Sequence, residues 1–135
     1  MKIVLDTNCL IQCIGYHSPY RPVWDSLTKN ENTLCVSNEI LEEYAEVLGR
    51  LFNAKFASAV IDAITESLFV EFVTPYYHFN LIKSDPDDNK FVDCAITSGA
   101  RYVVTNDRHY DVLKTIEFPT VDVISIKVFF KLYFG

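Results

Sequence analysis

The chain has 135 residues, half of them hydrophobic and 22% charged, with a formal net charge of −6. That size and composition suit one compact domain, residues 1–135, and exclude a disordered or low-complexity protein. The acidic balance excludes a nucleic-acid binder that works by overall basicity, although acids gathered at a divalent cation would reverse the local charge.

Lys2 to Leu5 is a short apolar β run that ends abruptly in Asp6, Thr7 and Asn8. A helix is predicted to begin near Thr7–Asn8, both good caps, and to carry Leu10, Ile11 and Ile14 inward. Residues 15–22 hold Gly, Ser and two prolines and read as loop, with a short helix over 23–27. TLCVS (33–37) reads as a strand, and Ser37-Asn38 opens a helix in which Ile40, Leu41, Tyr44, Val47, Leu48 and Leu51 recur at helical spacing. A further helix is predicted over 54–68 and a strand over 69–73. After a loop from Pro75 to Pro86, DDNKFVDCAITSGA reads as a helix capped by an Asp and ended by Gly99. RYVVTND is another strand with a polar end, followed by a short helix to about Leu113; VDVIS and IKVFFKLYF supply a last strand and a last helix.

Strands and helices therefore alternate, and the strands are apolar throughout, as in parallel sheets buried on both faces. An α/β fold is predicted, with a mainly parallel sheet of four to five strands covered by helices on both sides. The apolar runs fall short of the ~20 residues that a membrane span needs, and the apolar start is too brief for a secretory leader. A cytoplasmic protein without membrane contact is expected. Cys9, Cys13, Cys35 and Cys94 lack a zinc-ligand spacing and read as small buried hydrophobes.

In such a sheet, functional groups collect at the carboxyl ends of the strands and the amino ends of the helices that follow. That rule selects Asp6, Glu42 and Glu43, Asp85, Asp87 and Asp88 with Asp93 beyond them, and Asp107. Crowded carboxylates take up protons unless a cation joins them, and hard ions such as Mg²⁺ or Mn²⁺ prefer oxygen ligands. The chemistry that fits is metal-assisted hydrolysis of a phosphodiester. Each acid alone reads sooner as a helix cap or a solvated side chain than as a site residue, so it is the combination that carries weight.

IVLDTNCLI, VSNEILEEYAEVL, DPDDNKFVDCAI and YVVTND, in that order along nearly the whole chain, resemble the PIN-domain ribonucleases. The similarity is greatest to the branch described as VapC-like toxins of toxin–antitoxin systems. The resemblance implies a three-layer α/β/α fold and a metal-dependent ribonuclease that uses Mg²⁺ or Mn²⁺. It further implies an RNA substrate, a protein antitoxin and a homodimer. Carried over by block, its four acids, catalytic and metal-binding, are Asp6, Glu43, Asp88 and Asp107, with Asp93 a possible extra ligand. Asn8 and Thr105 stand beside them in supporting roles. Arg50, Lys90 and Arg108 are candidate phosphate contacts, at least as readable as solvated surface; Tyr16, Tyr20, Tyr76 and Tyr77 are candidates for base stacking, with loop packing the readier reading.

Two rivals remain: a catalytically silent PIN-like module that binds RNA or protein, and a plain interaction domain. A haloacid-dehalogenase-type phosphatase needs a second aspartate two positions after the first, where this chain has Asn8. The histidines His17, His78 and His109 show no metal spacing and are set aside. Phe129, Phe130, Tyr133 and Phe134 in the last helix would serve either an interface or the core.

Overall fold

The computed structural model describes residues 1–135. Its five strands are β1 (Lys2–Leu5), β2 (Thr33–Val36), β3 (Glu71–Phe72), β4 (Tyr102–Val104) and β5 (Val123–Ile124). All neighbouring pairs are parallel, in the order β3-β2-β1-β4-β5. The helices are α1 (Thr7–Ile14), α2 (Arg21–Thr28), α3 (Asn38–Leu51), α4 (Ala54–Thr65), α5 (Asn89–Ser98) and α6 (Ile126–Phe134). They flank the sheet in a three-layer α/β/α arrangement, as the alternating pattern predicts. No helix is long and apolar enough to cross a membrane.

The chain moves outward from β1 through β2 to β3, then returns to the other side of β1 for β4 and β5. Chain direction across the sheet therefore reverses at β1, and the crevice above the carboxyl ends of β1 and β4 lies at that switch point. Ile3, Val4 and Leu5, with Leu34, Cys35, Val36, Val103 and Val104, are buried and form the middle of the core. The outer strands are shorter than predicted: β3 keeps two residues of 69–73 and β5 two of 121–125. An outer strand has a partner on one side only, and short edges are the usual protection against unwanted pairing.

Helix ends follow local chemistry. Ser37 caps α3, its hydroxyl accepting the Ile40 N–H, and Asn53 caps α4 through Phe56 N–H. Gly99 ends α5 at φ 69°, a left-handed conformation that suits a residue without Cβ. Residues 108–115, predicted as a short helix, form a 3-10 helix. Around α5, the Asn89 side chain accepts the Ile82 N–H and donates to the Ile82 carbonyl, both at 2.8 Å. That clamp fastens the long segment before α5 against the helix start. All four cysteines are free and buried. In α6, Phe129 is buried, whereas Tyr133 is exposed and its hydroxyl donates to the Glu31 carbonyl at 2.9 Å.

Candidate active site

The pairing of Leu5 with Val104 sends the next residues, Asp6 and Thr105, out of the sheet side by side. Asp6 is only 7% exposed. It is itself the cap of α1, a position assigned from sequence to Thr7–Asn8: its Oδ1 accepts the Cys9 N–H at 2.8 Å. Its Oδ2 accepts the Thr105 hydroxyl. Thr105 Oγ1 also accepts the Asp107 N–H at 3.0 Å, so one buried hydroxyl joins two of the acids.

Glu43 lies on α3, and both of its oxygens are engaged. Oε2 accepts the Thr7 hydroxyl, and Oε1 accepts the Lys90 ammonium at 2.8 Å. Asp88 sits where a 3-10 turn (Pro86–Asp88) passes into α5; it occupies the cap position but makes no side-chain cap bond. Its Oδ2 is inaccessible and has no hydrogen-bond partner. Asp6, Glu43, Asp88 and Asp107, from four separate segments, line one cleft of about 150 Å³, together with Asn8 and Arg50. Asn8 is exposed there.

Charge crowding is visible in the acids. Burial raises the Asp6 carboxyl above its ordinary range, and the Asp107 charge adds to this, against the lowering effect of the Thr105 and Cys9 hydrogen bonds. Asp88 is pushed up to about 7, first by burial and then by the charges of Asp85 and Asp107. The donor atoms of Asp85, Asp88, Asp107 and His109 all lie within 4.8 Å of one another. Three carboxylates and an imidazole, with the orphaned Asp88 oxygen among them, fit a divalent cation of the Mg²⁺ or Mn²⁺ type. Asp6 and Glu43 stand outside that tight group, their oxygens held by Cys9, Thr105, Thr7 and Lys90.

Asp93, the possible extra ligand, is not brought to the cleft. It is 3% exposed, and its Oδ1 accepts the Phe79 N–H at 3.1 Å while Oδ2 meets His78 Nδ1 at 3.2 Å. The reason is angular: five residues of α-helix turn the side chain well away from Asp88, and it fastens the preceding segment instead. Glu42 likewise faces a neighbouring groove rather than the cleft. Arg108 lines an adjoining cavity that shares Asp107 with the cleft and also holds Lys114.

Sequence reasoning passed over His109, whose Nδ1 lies 3.2 Å from Asp107 and 3.7 Å from both Asp85 and Asp88. The available signal was local: a two-residue Asp-to-His spacing lets Asp107 accept the His109 N–H, here at 2.8 Å, and turn the ring back. Thr7 was read as a cap, and its bond to Glu43 has no signature in sequence.

The PIN domain family model matches residues 2–109, most of the chain. The chain belongs to the PIN-domain family. No curated protein matches it. Among solved structures, this PIN domain is similar to a chain in the crystal structure of VapBC2 from Rickettsia felis bound to a DNA fragment from their promoter. The TM-score is 0.63 at 21% identity, over 93% of this chain and 98% of that one. At that identity the likeness speaks for the fold alone.

Proposed function

We propose that this PIN domain is a metal-dependent ribonuclease, the VapC-like toxin of a toxin–antitoxin pair, acting in the cytoplasm. The observation that carries the reading is the single cleft lined by Asp6, Glu43, Asp88 and Asp107 at the switch point of the sheet. The structural likeness to VapBC2 supports a protein antitoxin as partner; the homodimer is proposed on the family resemblance alone.

Asp88 and Asp107, with Asp85 and His109 beside them, would hold Mg²⁺ or Mn²⁺, with Asp6 and Glu43 completing the set directly or through water. Such a cation supplies Lewis acidity, making water more acidic and offsetting charge on the scissile phosphate. The residues of the chain do the positioning. Cys9 N–H and the Thr105 hydroxyl hold the Asp6 carboxylate in one orientation, and the same hydroxyl anchors the backbone of Asp107. Arg50, which lines the cleft, would pair with a phosphodiester oxygen. In the reaction, a water oxygen bonds to phosphorus, the bond from phosphorus to the leaving ribose oxygen breaks, and the proton passes to that oxygen.

The test is incubation of mixed RNA with the protein in Mg²⁺ or Mn²⁺, with and without chelator, alongside Asp6→Asn. Cleavage that needs the metal and Asp6 is expected. Absence of cleavage with either metal, or equal cleavage by the variant, overturns the reading; RNA bound but intact would favour the silent module.

A further inference from the structure

Lys90 is an unusual neighbour for a carboxylate expected to serve a metal. It is the second residue of α5, its side chain is 17% exposed, and its ammonium lies 2.8 Å from Glu43 Oε1, itself on a side chain 23% exposed. Thr7 occupies the other oxygen of the same carboxylate. A part-buried ion pair with a second hydrogen bond on the acid is far less screened than a surface pair. At the other end of the cleft no Lys or Arg pairs with Asp88 or Asp107; their ionic neighbour is His109. The site is thus polarised, with a resident cation at the Glu43 end and an orphaned oxygen at the Asp88 end.

We propose that Lys90 is a positioning residue that acts as the fixed cation of the Glu43 end, so that the cleft takes up one divalent ion, at the Asp88–Asp107 end, and not two. The inference rests on the metal-dependent reading above and deepens it. With four carboxylates lining the cleft, Lys90 and Arg50 already offset part of their charge. At the Glu43 end both carboxylate oxygens already have partners, so a second ion there would have to displace Lys90 or Thr7, whereas the Asp88 end offers an unpartnered oxygen. The same ammonium also fixes the Glu43 rotamer, so this acid meets an incoming ion already oriented.

Glu43 separates the cleft from an outer groove that Lys90 shares with Glu39, Glu42, Glu46 and Asp87. A Lys90 that only neutralised that groove would have no effect on the ion count of the cleft, and the experiment tells the two roles apart. The measurement is Mn²⁺ stoichiometry on the full chain, read from the paramagnetic resonance signal of unbound Mn²⁺, which requires no activity. One ion per chain is expected for wild type and for Lys90→Arg, and two for Lys90→Met. In the double variant Asp6→Asn/Lys90→Met the count should return to one, because the second ion would sit between Asp6 and Glu43.

Two ions in wild type, or one in Lys90→Met, overturns the inference while leaving the metal-dependent reading standing. A second ion in Lys90→Met that ignores Asp6→Asn also overturns it, since that ion belongs to the outer groove. No Mn²⁺ uptake by wild type overturns the metal-dependent reading itself, and this inference with it. If Lys90→Met does not fold, Lys90→Gln, which also removes the charge, takes its place with the same expected count of two.

Discussion

Thr105 and Asp6 are 99 positions apart, yet the hydroxyl of one donates directly to the carboxylate of the other in the interior of the protein. The contact follows from parallel register: once Leu5 pairs with Val104, the next residues have to leave the sheet together. Because Thr105 also accepts the Asp107 N–H, it couples the ends of β1 and β4 into one unit.

Thr105→Val should therefore cost more than its small change in shape. It strands the Asp6 oxygen and the Asp107 N–H at a position only 4% exposed. A loss of about 1–3 kcal/mol is expected from leaving such groups unpartnered. Urea denaturation in chelator measures it, and Thr105→Ser, which keeps the hydroxyl, should recover most of the loss.

Asp6→Asn should leave the metal-free fold as stable as wild type or more so. Burial disfavours the charged form of Asp6, and the amide oxygen of Asn can still accept the Cys9 N–H. Asp6→Ala, by contrast, removes the cap and should cost about 1 kcal/mol. Thermal melts in chelator decide; a clearly lower midpoint for Asp6→Asn would show that the cap matters more than the charge.

Asp88 sets a pH dependence of definite sign. Its folded-state value near 7 lies above the ordinary 3.8, so between these limits the native state holds a proton that the unfolded chain has released. Metal-free stability should then fall as pH rises from about 4 to about 7 and level off above that. Asp88→Asn should flatten that slope. Cation affinity should run the other way and rise with pH, because the metal competes with the proton. Melting curves and Mn²⁺ titrations on either side of neutrality check both.

Asp93→Ala separates a fastening role from a metal-binding one. Loss of its bonds to Phe79 and His78 should destabilise the fold by about 1–3 kcal/mol and expose residues 75–81 to proteolysis. Mn²⁺ affinity should not change. A drop in affinity with the fold intact would return Asp93 to the site.

The strand ends were legible in sequence because apolar runs stop abruptly at Asp6 and before Asp107, and α/β topology sends such ends to one edge. The start of α5 was legible from DPDD and its end from Gly99, where backbone chemistry is local. The lengths of β3 and β5 were not, since local composition cannot tell an edge strand from a central one.

The α/β order, the buried parallel strands and the segments from which carboxylates reach the crevice all follow from the order of residues along the chain. These depend on period, capping and hydrophobic burial, which act over a few residues. Which side chain each acid meets is settled by the packing of distant segments. Lys90 on Glu43, Thr105 between Asp6 and Asp107, His109 among three carboxylates and Asp93 turned towards Phe79 all depend on register and helix rotation across distant segments. A carboxylate has the same formula wherever it stands, and its protonation and its readiness for a cation are set by neighbours that only folding supplies.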